Sequence, residues 1–176
     1  MNSMIKILIL VIIPISAICQ TTGSRNIAIT LPKVALLDIE PAGTIVMNFL
    51  PPTDAGRPLA APTVNTSKWI NYTSAIEAGG ASRSVTVAIN QTIPGVDIRL
   101  QAAAASGSGG GILGSVSGQV ILTAVPQVII SGIGGAFTGT GTSNGHRLTL
   151  SIAPNNYANL AAGNNNIIVV TYTIIE

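Results

Sequence analysis

The chain has a single cysteine, a single histidine and only 8% charged residues, and each scarcity removes a class of function. Cys19 closes an apolar leader, so the sequence after it carries no thiol at all. That excludes a disulfide framework, a thiolate nucleophile and a Cys-based zinc site in residues 20–176. A domain of this kind is held by its core alone. His146 follows Asn144-Gly145 in a Gly/Thr-rich stretch, with no nucleophile or orienting carboxylate in evidence, and reads as a turn residue opening a strand. A lone His without Cys or an acidic cluster does not make the usual zinc or EF-hand calcium site. No metal, no cofactor and no catalytic residue are expected.

Charge is as thin as chemistry. Eight basic and six acidic side chains are scattered without a patch of either sign, whereas nucleic-acid binding needs a concentrated basic surface. Ordinary soluble proteins carry about a quarter charged residues, so Thr, Ser, Asn and Gly must cover this surface. Asp38 and Glu40 are two apart and share a face of any strand, as do Asp97 and Arg99. Both pairs read as solvated, the second worth under about 1 kcal/mol. Gly107–Gly111 precedes no helix with a Lys-Ser/Thr, which excludes a phosphate-binding loop. Taken together, these absences point away from an enzyme.

Aromatic residues make up 3% of the chain, and Trp69 with Tyr72 is their one concentration. Three positions apart on a strand, they face opposite sides and form no common sugar-stacking platform. Each is a candidate ligand contact, although burial of Trp69 in a core is the reading favoured here. Sequons at Asn65, Asn71 and Asn90 are as frequent as chance in so Ser/Thr-rich a chain.

What is present begins with the leader. Lys6, the apolar run Ile7–Ile13, Pro14 and then Ala17-Ile18-Cys19 follow the order of a secretory signal peptide cut before Gln20. The run is far short of the roughly 20 residues that span a bilayer. Residues 1–19 are thus expected to be a signal peptide and 20–176 one domain, secreted to the periplasm or outer cell surface with no transmembrane segment. Lipidation of Cys19 stays open, although a lipobox wants a smaller residue than Ile18 before the cysteine.

The 47% hydrophobic content excludes disorder, and its period is two. Val85, Val87 and Ile89 alternate with Ser84, Thr86 and Asn90; Val96, Ile98 and Leu100 with Asp97, Arg99 and Gln101; Leu148, Leu150 and Ile152 with Arg147, Thr149 and Ser151. Asn166–Ile175 is apolar or β-branched on both faces, as a covered strand requires. Further candidates are Asn26–Leu31, Val34–Glu40, Thr44–Leu50, Lys68–Ser74, Gln119–Ala124 and Gln127–Ser131. Prolines and Pro-Gly or Pro-Asn turns fall between the runs. Ser106–Gly111 reads as a flexible hairpin loop, Leu50–Thr66 as a long surface loop, and Asn155–Ala162 as a turn or two of helix. The expected fold is all-β: one antiparallel β-sandwich, Ig-like or pilin-like, of about nine or ten short strands.

The tail, Tyr157-Ala158-Asn159-Leu160, then Gly163, then the alternating strand Ile167–Thr173, resembles the C-terminus of bacterial pilin-type and spore-coat-protein-U-like secreted sandwiches. The chain departs from many pilins in lacking paired cysteines. The resemblance implies an exported structural protein of the bacterial surface, a fimbrial subunit or coat component, with a secreted adhesive or carbohydrate-binding module as the alternative. It also implies self-association by strand addition, in which a neighbour's N-terminal extension completes the sheet. Ile27, Ile29 and Leu31, alternating with Ala28 and Thr30 behind a polar lead, are the candidate donor strand. The simpler expectation makes Asn26–Leu31 the first strand of its own sandwich.

Overall fold

Period-two alternation becomes nine antiparallel strands in the computed structural model, which describes residues 21–163 and 166–176. The leader with Cys19, and Gln20 after it, lie outside the described residues. The chain divides after Leu31. Among residues 21–31 there is no strand, and every one of them is exposed.

The unit Pro32–Glu176 holds β1 (Val34–Glu40), β2 (Asn65–Ala75), β3 (Arg83–Ile89), β4 (Val96–Ala102), β5 (Gly110–Val116), β6 (Val120–Ile121), β7 (Gln127–Phe137), β8 (His146–Pro154) and β9 (Val170–Ile175). Hydrogen bonding runs β6-β4-β8-β2-β7-β3-β9, with β1 added to β2 and β5 to β7. β2 belongs to two layers. Its first half, Asn65–Ile70, pairs with Leu150–His146 of β8; Thr73 and Ser74 pair with Phe137 and Ala136 of β7. Beyond that handover β3 continues along the same edge of β7, from Arg83 opposite Ile133 to Val87 opposite Gln127. One layer is therefore β6-β4-β8-β2-β1 and the other β9-β3-β7-β5, sharing β2.

Inward positions of both layers meet in one cluster. Ile98, Leu100 and Leu148 come from the first layer, and Val85, Val87, Ile130 and Ile133 from the second, with Ile70 and Tyr72 on the shared strand. Full burial of such a side chain is worth about 1.5–3 kcal/mol. With no disulfide, this contact between layers is the principal stabilising term.

Four local expectations are corrected. Asn26–Leu31 is not a strand; the first strand is β1. Thr44–Leu50 is extended, with Ile45, Met47 and Phe49 half-buried between exposed neighbours, but only Leu50 pairs, with Ala60. The hairpin loop expected at Ser106–Gly111 gives way at Gly110 to β5. Glycine is why: Gly111 and Gly114 have φ of +88° and +77°, and a Cβ at Gly114 would sit 2.6 Å from the Ser131 carbonyl oxygen. The backbone approaches β7 more closely than side chains permit. Near the C-terminus, the helical stretch shrinks to a 3-10 turn, Tyr157–Asn159, capped by the Asn156 side chain accepting from the Ala158 N–H at 3.0 Å. No helix of the described residues is long and apolar enough to cross a membrane.

Candidate functional site

The N-terminal segment carries its hydrophobic side chains in water. Ile27, Ile29 and Leu31 are 84%, 78% and 88% exposed, and they fall at every second position, so an extended backbone would place all three on one side. A folded chain seldom leaves three large aliphatic residues so bare in one short run.

The folded unit has open edges to match. Among the described residues β1 pairs with β2 alone and β9 with β3 alone, yet β1 and β9 approach each other in space. No ladder joins them across that seam. Leu37 and Ile39 of β1, and Val170, Tyr172 and Ile174 of β9, pack against the core from it and are only partly buried. Burial pushes the Tyr172 hydroxyl up to about 12.

One end of the seam is closed by charge. Arg83 opens β3 in phase with Val85 and Val87, so it points inward and is 2% exposed. Its guanidinium donates to the Val34 carbonyl, to Ser74 Oγ at 3.2 Å and to Glu176 Oε1 at 3.2 Å. Lys33 Nζ reaches the same carboxylate at 2.6 Å. Hydrogen bonds from Lys33 and then Arg83 hold the Glu176 carboxyl below its usual range. The cluster pins the start of β1 to the end of β9. Arg83 is legible afterwards as an Arg on the apolar phase of a strand, but its partners at positions 33, 34 and 176 are not.

His146 is placed differently from expectation. It opens β8 as anticipated, but it is buried, 1% exposed, and it has partners that the sequence did not show. Nδ1 lies 2.9 Å from the Ala103 carbonyl oxygen and Nε2 2.9 Å from the Tyr72 hydroxyl, with the two rings stacked at 5.7 Å between centroids. A carbonyl only accepts, so Nδ1 carries the proton of the neutral ring and Nε2 is left as an acceptor. The Tyr72 hydroxyl also faces the Leu113 carbonyl, so one proton serves two acceptors. Burial lowers the His146 pKa and pushes Tyr72 up to about 12. The node ties β2, β5, β8 and the turn after β4 together.

Trp69 and Tyr72 do take opposite faces, but in the reverse of the expected roles. Tyr72, 3% exposed, is the core aromatic, and its hydroxyl is committed to Leu113 and His146, leaving it no surface for a ligand. Trp69 is half-buried on the outer face, between Glu40 of β1 and Arg147 of β8. The Leu50–Thr66 loop is largely exposed, with its Leu59 N–H bonded to the Tyr157 hydroxyl. Asp97 is paired with Arg99 at 2.9 Å and bonded by Asn155, and these hydrogen bonds, Asn155 first, lower its pKa. Among the described residues no three His, Cys, Asp or Glu side chains gather as a metal site would need. No protein-family model, curated protein or solved structure matches the chain.

Proposed function

We propose that this chain is an exported structural subunit of the bacterial cell surface, pilin-like or a coat component, that joins copies of itself by strand addition. The observation that carries the reading is the bare alternation of Ile27, Ile29 and Leu31 together with β1 and β9 edges that, among the described residues, are unpaired across a partly buried apolar seam. In a donated strand, the segment of one copy supplies backbone N–H and C=O groups to the edge of the next, and its three aliphatic side chains enter between Leu37, Ile39, Val170 and Ile174. Ladder bonds give affinity and the alternate side chains give register.

The magnitudes agree with such a role. Burying the three side chains is worth on the order of 5–9 kcal/mol, while ordering each backbone residue costs about 1–2 kcal/mol. Apolar burial and ordering are therefore comparable, and edge hydrogen bonding decides the affinity. A charge-poor surface also suits a subunit that spends its life packed against copies.

Deleting residues 20–31 tests the reading. The expected product keeps its far-UV circular dichroism, elutes as a monomer and forms no filaments by electron microscopy, while the exported protein beginning at Gln20 assembles. A truncated chain that unfolds, or a parent that is monomeric at every concentration, rejects donor-strand assembly.

A further inference from the structure

The two layers of the fold differ in charge. β4, β8, β2 and β1 carry Asp97, Arg99, Arg147, Lys68, Asp38 and Glu40. β5, β7, β3 and β9 contain one charged residue, Arg83, and it points inward. The outer face of this second layer is therefore free of charge. Register shows what covers it. Directly opposed residues share a face, which gives one row of Gly110 and Phe137 and another of Val128, Thr86 and Thr173. Phe137 and Val128 are about half exposed, Ile112 on β5 more so and Ile175 on β9 nearly so, while Thr86 between Val128 and Thr173 is buried.

We propose that this outer face packs against the same face of a second copy, a lateral contact separate from strand addition. Size supports it. Four strands about 4.8 Å apart, each of six to eleven residues at about 3.3 Å, cover about 500 Å² of plane before side-chain relief is counted. A standard interface takes about 800 Å² of accessible surface from each partner. Chemistry selects the occupant. A charged partner, an anionic lipid surface or a nucleic acid, would shed its hydration against this face and find no counter-charge there. A second copy brings only uncharged groups, hydroxyl, glycine, aliphatic and the Phe137 ring, so nothing charged is desolvated, and a twofold axis makes such a surface complementary to itself.

Sedimentation velocity of the full exported chain over a concentration series is the test. Val128→Lys with Thr173→Lys puts like charges opposite each other in the contact and is expected to raise the association midpoint at least tenfold. Gln101→Lys, on the exposed phase of β4, is expected to leave it unchanged. Ile29→Asp, which disables strand addition, is expected to leave a reversible dimer. Circular dichroism checks that each variant folds, and Phe137→Lys on the other row replaces the double variant if that one does not. Association unaltered by charge on the face, or an Ile29→Asp chain that is monomeric throughout, overturns the lateral contact; the second result would leave strand addition standing.

Discussion

At the scale of single residues, His146 and Glu176 are where burial and charge meet. His146→Ala removes the ring that fills the space between Ala103 and Tyr72 and strips the Tyr72 hydroxyl of a partner. Loss of a buried hydrogen-bonded group together with a cavity costs roughly 2–4 kcal/mol. The unfolding free energy from a urea titration should fall by that amount, as a lower midpoint with the slope unchanged. The pH dependence follows from the direction of the shift. Burial lowers the folded-state pKa of His146 below 6.5, so the unfolded chain binds the proton more readily. The contribution is fully present above pH 6.5 and is lost as pH drops below it. Denaturation at a series of pH values should show that loss in the parent and not in His146→Ala. Glu176 acts at lower pH. Its carboxyl is held below 4.5 by Lys33 and Arg83, so its stabilisation is present above 4.5 and lost on further acidification. Glu176→Gln should abolish that last step of the acid transition and lower stability at neutral pH, because Arg83 is left buried without its carboxylate.

At the scale of elements, β5 shows how glycine makes a strand that a hydrophobic pattern does not announce. Gly111 has φ +88°, and a Cβ there would fall against the Gly135 carbonyl oxygen. Gly111→Ala should cost more than the roughly 1–2 kcal/mol of a left-handed non-glycine residue, since backbone must also move. Hydrogen exchange should locate the damage in Gly110–Val116 and its partners on β7. β3, β4 and β8 were legible beforehand because each buries one face, and a buried face writes itself as alternation. β5 and the far half of β7 were not, since Gly132, Gly134 and Gly135 interrupt any period there. Thr44–Leu50 has the pattern of a strand without a ladder, because alternation records which side chains are covered and not which backbone is paired. The same limit applies to the seam: β9 could be read as a strand, but the absence of a partner on its far edge is a property of the assembled sheet. The His146 node was invisible because Tyr72, Ala103 and Leu113 are distant in sequence, and only the handover of β2 between layers brings them to one ring.

At the scale of the whole molecule, the order of pairing sets the folding problem. β2 finds β8 across residues 65–70 and 146–150, and β3 finds β9 across residues 84–89 and 170–175. Neither layer closes until distant parts of the chain have met, and the cluster shared by both layers cannot fill before that. Loop-closure entropy is thus spent before most of the apolar burial is gained. Folding is expected on the millisecond-to-second scale of sheet proteins dominated by non-local pairing, not in microseconds. Trp69 is a natural probe, as the chain's single tryptophan, with Glu40 of β1 on one side and Arg147 of β8 on the other. Its fluorescence reports when the first and eighth strands both reach β2. Stopped-flow refolding of the exported chain should recover the Trp69 signal in that slow phase, together with the far-UV circular dichroism. Full recovery within the dead time of mixing would mean that β1, β2 and β8 assemble locally and early, against the pairing order of the sheet.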